Sequence, residues 1–505
     1  MKKFDVAIVV VFLITFLVSG LFAVIGVDSH HDGAVFKPAM DVLSGKVLFK
    51  ETSTQYGPLT TYIQALVLWL FGKYLLSIRI FTAFIYALIG VFLLQIHRKI
   101  LPPWLALLGC GIWLGIAPFY VWTFLAWSNV YCLFFKLGSL LFFLNYLNNN
   151  QKRYLIYAGL ATALTILTKH NDGIYIFLAY LFSIGMIGFY HRRNVLKDYF
   201  SYALGILLLL VPFFAYLMVM GAITDWYIQL ILFSFSWFAS NTGSMWNIVG
   251  FLLPFNESYL WTFMPIVCVL AFVQYTWLIF RRRNLSAQDL SLYIIVVVSL
   301  ASWLNYIPVP CIRHLFWGST SMVGVILFYI WNAGPTRKNN LSNIIMVLCF
   351  VVFIFGSDFE WRITEGWKKL CQSTYKCSNI NVLYGMRLTK AESQVYSDIN
   401  ALLMSYFSKH PQAKLINLSP DPMIITFYDN SENAHKLTLA YNMLIKYYAD
   451  YYHTINKYIS NNRPIIITYD KDFLPPCYYR LSAYTWFKFN CYGDHCYILA
   501  PKESL

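Results

Sequence analysis

Asp28, His30, His31, Asp32 and Asp41 crowd one short stretch of an otherwise apolar chain. Two kinds of chemistry suit such a set. A carboxylate held beside a hydroxyl is a general base, because it is ionised at neutral pH and can take the proton as the oxygen forms a new bond. Two histidines and two aspartates within residues 28–32 are also metal-ligating types. The stretch supplies no further ligand, so a divalent metal is not supported and no cofactor is expected. The competing fate of any one of these aspartates is a helix cap or a solvated loop charge. Three cations are placed to answer a developing negative charge: Lys169 and Arg313 at the outer ends of apolar blocks, and Arg79 near that level. Arg can grip a phosphate through two bonds, whereas Lys supplies a point charge. Snorkelling to an interface is the plainer use of each.

The elements that must hold these residues are membrane helices. Of 505 residues, 59% are hydrophobic and 12% charged, against about 25% charged in a soluble domain. The apolar residues come in long blocks, the mark of bilayer-spanning helices. Aromatic residues make up 19% of the chain, many at block ends, as interface anchors do. The net charge of +15 does not indicate nucleic acid, because Lys and Arg gather in short loops between apolar blocks. There is no Gly-rich phosphate loop, zinc-protease signature or paired C-x-x-C, which argues against soluble nucleotide enzymes and zinc hydrolases.

Eleven spans are predicted, at 6–26, 74–96, 104–120, 128–147, 154–168, 173–190, 200–220, 259–280, 290–307, 314–332 and 341–357. The first is read as a retained helix, since its apolar run is longer than a leader core and no small-x-small site precedes Asp28. With a cytoplasmic N-terminus, the inner loops carry Arg98–Lys99, Lys152–Arg153, Arg192–Arg193, Arg281 to Arg283 and Arg337–Lys338. Four of the five intervening outer loops are nearly free of Lys and Arg, so charge alternates as the positive-inside rule demands. The first outer loop, 27–73, is the exception and carries the candidate residues. The apolar stretch 226–238 is too short to cross and is read as interfacial or re-entrant.

Past residue 357 the composition changes. Residues 358–505 read as an extracytoplasmic α/β domain, with strands at 414–418, 423–428 and 464–469 and helices at 391–407 and 435–459. An odd number of spans places it outside. Cys371, Cys377, Cys477, Cys491 and Cys496 fall there, and an oxidising compartment would let Cys371–Cys377 and Cys491–Cys496 pair, with Cys477 an alternative partner. Cys110, Cys132, Cys268 and Cys349 lie in apolar segments and read as packing residues.

His31-Asp32-Gly33, then Val42-Leu43-Ser44-Gly45, Tyr56-Gly57-Pro58-Leu59, Leu70-Phe71-Gly72 and Arg79 together resemble the first external loop of GT-C glycosyltransferases. The protein O-mannosyltransferases and the lipid A aminoarabinose transferases are the similar groups. Gly159-Leu160-Ala161 leading to Leu167-Thr168-Lys169 is a second matching patch, and Pro308-Val309-Pro310 before Arg313-His314 a third. The layout is also similar to phage-type serotype-converting glucosyltransferases of O-antigen. An acidic pair opens this loop in those families; here it is His31-Asp32, with a histidine in the first acidic place.

The resemblance implies an α-helical polytopic core at 1–357 with an outer α/β domain at 358–505, in a bacterial inner membrane. It implies an inverting transfer of a sugar, such as glucose, from a polyprenyl-phosphate donor to a glycan acceptor. Asp32 would be the base, with Asp28 the second candidate. Lys169, Arg313 and Arg79 would hold the donor phosphate, and His31, Tyr56, His170 and His314 would line the substrates. The rival is a transporter or flippase for lipid-linked glycans. The absence of an internal repeat and the gathering of charge at the outer rim favour surface chemistry.

Overall fold

The computed structural model describes residues 5–242, 259–306, 312–332, 359–377, 379–419, 421–438, 441–468, 484–491 and 494–502. The first helix, α1 (Val6–Ala23), is followed by two helices of the outer loop, α2 (His31–Leu43) and α3 (Pro58–Phe71). Pro58 opens α3, where its missing N–H costs nothing. Then come α4 (Leu75–His97), α5 (Pro103–Gly115), α6 (Ser128–Asn149), α7 (Arg153–Thr168), α8 (His170–His191) and α9 (Leu196–Val219). A helical run from Ile223 continues through a π-helical turn, Tyr227–Leu232, into α10 (Phe233–Thr242). The bundle closes with α11 (Tyr259–Phe280), α12 (Ala287–Trp303), α13 (Ile312–Ser319) and α14 (Met322–Asn332).

Seven described helical segments are long and apolar enough to cross a membrane, or eight where the pair α13–α14, bent by 57°, is counted as one span. Large apolar side chains such as Leu17, Leu207, Val211 and Leu270 stand exposed on their outer faces, as lipid contact requires. The chain is thus a multi-pass membrane protein. Two of the eleven expected spans are short helices: α7 has 16 residues and α12 has 17. At 1.5 Å per residue each reaches only about 24–26 Å of a hydrocarbon core about 30 Å thick. They sit inside the bundle, where α7 packs between α6 and α9 through Gly159 and Gly205, and a Cβ on either would meet backbone within 2.2 Å. The expected span 341–357, together with Arg337 and Lys338, lies outside the described residues.

The inner loops meet at one end of the bundle. Arg98 pairs with Asp5, Lys99 Nζ donates to Asn145 (3.1 Å), Arg193 donates to Asn150 (3.0 Å), and the Leu285 N–H donates to Tyr190 (2.9 Å). The basic loops after α4, α6, α8 and α11 therefore share a face, as charge alternation anticipates. The opposite end carries the outer loop and the C-terminal part.

That part begins with α15 (Phe359–Gln372), a two-residue ladder of β1 (Tyr375–Lys376) and β2 (Arg387–Leu388), and α16 (Lys390–Lys409). A capping box starts α16: Thr389 Oγ1 accepts the Glu392 N–H (3.3 Å) while the Glu392 carboxylate accepts the Thr389 N–H (2.7 Å). A four-stranded sheet follows, ordered β3 (Leu415–Asn417), β4 (Ile465–Thr468), β6 (Asp494–Pro501) and β5 (Tyr484–Cys491). Strand β3 runs parallel to β4 by a crossover through α17 (Tyr451–Asn462), and the other pairings are antiparallel. Alternate side chains serve two cores. Ile465, Ile467 and Ile498 pack with α16 and with Val35, Phe36 and Ala39 of α2, while Ile466 and Leu499 pack with α17 and Phe233 of α10. The sheet is thereby tied to the outer loop on one face and to the 223–242 helical run on the other.

Three expectations for this part change. Residues 423–428 form a 3-10 turn (Ile424–Phe427) rather than a strand, because Met423 is pressed against Gly33 of α2, where a Cβ would lie 2.5 Å from the Met423 nitrogen. The helix expected at 435–459 is two, Asn442–Ile445 and α17, because the Thr438 N–H donates to Ser53 of the outer loop (2.9 Å) instead of to a helical carbonyl. Cys371 and Cys377 remain thiols, the first exposed and the second half-buried. Cys477 and the side chain of Cys491 lie outside the described residues.

Candidate active site

The outer loop turns inward at Asp28. Its carboxylate accepts the His31 N–H through Oδ1 (2.8 Å), as a capping side chain does, and meets His31 Nδ1 through Oδ2 (2.8 Å). Burial pushes this carboxyl up, but hydrogen bonds from His31 and the charges of His31 and His30 outweigh it and hold it at about 2. Asp28 is therefore an acceptor at neutral pH, so Nδ1 of His31 must be the donor, and in the neutral imidazole Nε2 is left with a lone pair. The two side chains are 27% and 24% exposed, open enough to meet a substrate.

Asp32, one helical turn on, points the other way. It is fully buried and forms a bidentate pair with Arg79 of α4, through Nε (3.3 Å) and Nη2. Burial raises the Asp32 carboxyl, and the Arg79 charge opposes that rise. Its Oδ2 also accepts the Asp28 N–H (2.8 Å). The remaining Arg79 donors reach the carbonyls of Ala23, Ile25 and Gly26 at 3.3, 3.0 and 2.8 Å. Asp32 and Arg79, expected as base and phosphate ligand, are thus committed to each other and to the end of α1. They fix the loop that presents Asp28.

Trp127, just before α6, gathers the other candidates. His31 and Tyr56 lie edge-on to its ring at 4.8 and 5.8 Å, His314 is tilted against it at 5.9 Å, and the Arg313 guanidinium sits over it at 5.2 Å. Burial, with Tyr441 and Asp28 near by, holds the Tyr56 phenol well above its ordinary value, so it stays a hydrogen-bond donor. Gly57 brings this cluster to Lys169. Its N–H donates to the Thr168 carbonyl (3.1 Å), and a Cβ there would fall 2.2 Å from the Leu167 carbonyl oxygen. Lys169 donates to Asn305, in the 3-10 turn that packs against α13 and its Arg313. Lys169 and Arg313 therefore stand on one chain of contacts that runs through Tyr56 and Trp127. His170 points instead toward Ser234 of α10 (3.4 Å). Pro308, Val309 and Pro310 lie outside the described residues.

His30, grouped with the loop's acidic residues from sequence, is bound on both nitrogens by the C-terminal part, at Asp421 (2.7 Å) and Tyr441 (2.9 Å), which brings that part against the dyad. Other residues at the site were not singled out from sequence. Lys136 and Asp172 form a buried ion pair beside Lys169. A lysine inside the expected span 128–147 was the available signal, because an intramembrane charge is costly and marks function. Trp127 gave none, being one of sixteen tryptophans. Among the described residues no group of three or more His, Cys, Asp or Glu converges as a metal site requires.

Residues 55–219 match the family model described as dolichyl-phosphate-mannose-protein mannosyltransferase, a segment that holds Tyr56, Trp127 and Lys169. No curated protein matches the chain. Among solved structures, the oligosaccharyltransferase of Archaeoglobus fulgidus in the apo form is similar with a TM-score of 0.53 at 10% identity, over 92% of this chain and 70% of that one. The same protein with zinc and sulfate gives 0.53 at 12% identity, over 96% and 72%. ArnT from Cupriavidus metallidurans in the apo state gives 0.50 at 13% identity, over 98% of both chains. The chain therefore has the GT-C-like fold of these membrane proteins, in keeping with the resemblance read from its outer loop.

Proposed function

We propose that the chain is an inverting glycosyltransferase that moves a hexose, such as glucose, from a polyprenyl-phosphate donor to a glycan acceptor such as lipid-linked O-antigen. It would work at the outer face of a bacterial inner membrane, with residues 358–505 periplasmic. The observation that carries this reading is the Asp28–His31 pair beside Arg313 on the shared Trp127 ring. Asp28 holds His31 with its proton on Nδ1, and Nε2 takes the proton of the acceptor hydroxyl as that oxygen attacks the anomeric carbon. The bond from that carbon to the phosphate oxygen breaks, the configuration inverts, and the electron pair leaves on the lipid phosphate. Lys169 and Arg313 answer its charge in a site poor in water. The family description of the matched segment names a lipid-phosphate sugar donor, which supports a donor of that class.

Purified protein in nanodiscs, given polyprenyl-phosphate glucose and a lipid-linked glycan, should yield a glycan heavier by one hexose with the opposite anomeric configuration. Retained configuration, or no transfer to any glycan tried alongside movement of the lipid across the bilayer, would overturn the proposal.

A further inference from the structure

Lys136 of α6 and Asp172 of α8 are almost wholly buried, 2% and 1% exposed, and take no part in the steps above. Asp172 lies between two ammonium groups, with Oδ2 3.8 Å from Lys136 and Oδ1 3.6 Å from Lys169. Both separations are too long for a hydrogen bond. Each lysine gives its hydrogen bond to a neutral oxygen instead, Lys136 to Ser302 and Lys169 to Asn305. Among the described residues, Asp172 Oδ2 accepts only the Cys132 thiol (3.4 Å), and Oδ1 has no hydrogen-bond partner though it is buried. Among the described residues, two lysines against one aspartate leave this group with one positive charge in excess. Buried charge without a counter-ion is costly, and the cost is recovered when an anion arrives. Lys169, 15% exposed, is the member an anion can reach.

We infer that Lys136 and Asp172 are positioning residues that set how strongly Lys169 holds the phosphate of the lipid donor. Asp172 is a counter-ion shared by both lysines, and Lys136 draws part of its field away from Lys169, leaving that ammonium under-neutralised and ready for phosphate. This rests on the reading that places donor phosphate at Lys169. Loss of Lys136 gives Asp172 wholly to Lys169 and weakens phosphate binding. Loss of the Asp172 charge does the opposite. A purely structural role predicts that both substitutions impair binding, so the sign separates the two.

The test is equilibrium binding of undecaprenyl phosphate to full-length protein in nanodiscs, with thermal unfolding read in parallel. Lys136→Met should weaken binding about tenfold and Asp172→Asn should tighten it about tenfold, as expected for one unit charge acting across a poorly screened gap. The double variant restores the net charge and should fall within about threefold of the unaltered chain. If Lys136→Met does not fold, Asp172→Asn still decides, because it must tighten binding. Weaker or unchanged binding in Asp172→Asn overturns the inference while leaving the donor reading intact, provided Lys169→Met abolishes binding. Failure of the unaltered chain to bind undecaprenyl phosphate overturns both.

Discussion

Replacing Asp28 by Asn tests whether a carboxylate or an imidazole takes the proton. The fall of the Asp28 carboxyl from 3.8 to about 2 corresponds to about 2.4 kcal/mol in favour of the ionised form at about 1.36 kcal/mol per unit. The hydrogen bond of Asp28 with His31 Nδ1 is the part that fixes the proton there. An amide can donate to Nδ1 instead, which moves the imidazole proton to Nε2 and removes the acceptor lone pair from the substrate side. Turnover should fall about 10²–10⁴-fold, the range for loss of a general base or its tautomer, with donor binding unchanged. His31→Gln should fall by a similar factor, and the double variant by little more, because the pair acts as one unit. The assay is release of polyprenyl phosphate in nanodiscs. His31→Gln near full activity would refute the dyad. Stability has its own sign. A depressed carboxyl contributes stability above its unfolded value near 3.8 and loses it as pH falls through about 2, so Asp28→Asn should narrow the difference in unfolding free energy between pH 5 and pH 2.

Asp32→Asn or Arg79→Met leaves one charge buried without its partner and should cost about 3–5 kcal/mol of stability. Loss of activity should then track loss of folded protein in a thermal-unfolding series, and full stability with loss of turnover would return Asp32 to the role of base. Gly57→Ala sets a methyl 2.2 Å from the Leu167 carbonyl; the backbones must part, at about 1–3 kcal/mol, and donor KM should rise as Tyr56 shifts from Lys169. Cys371 should take a maleimide in the folded protein without prior reduction, while Cys110, Cys132 and Cys268 stay unlabelled until it unfolds. A Cys371 that labels only after reductant would mean that it is paired.

The membrane part was legible because its signals are composition and charge, and both act over whole segments. Blocks of apolar residues near twenty long located α1, α4, α6, α8 and α9, and the basic loops after α4, α6, α8 and α11 meet at one end as alternation requires. Length was harder to read: α7, expected at 154–168, is a helix of only 16 residues, and close glycine contacts with α9 let it pack inside the bundle. In the C-terminal part the failures share a cause. Residues 423–428 and 435–438 have the pattern of regular elements, yet their backbone is claimed by contacts with residues 33 and 53, some four hundred positions earlier. Local periodicity carries no record of such partners.

The site shows the same limit in sharper form. Asp28 and Asp32 are four apart, about one helical turn, and share a residue type and a loop, so spacing cannot rank them. What separates them is Arg79, forty-seven residues on from Asp32, whose three carbonyl contacts at the end of α1 hold it against Asp32. The aspartate that wins that cation is buried and neutralised, and is a poor base for a substrate arriving from outside. The other is left at the rim. There it is too firmly ionised to be an effective proton acceptor itself, since an acid of about 2 holds a proton weakly. It is well suited, though, to orient and polarise an imidazole. Under the proposed mechanism, the histidine in the first acidic place of the loop takes over as proton acceptor from a carboxylate, and the carboxylate three residues upstream holds it.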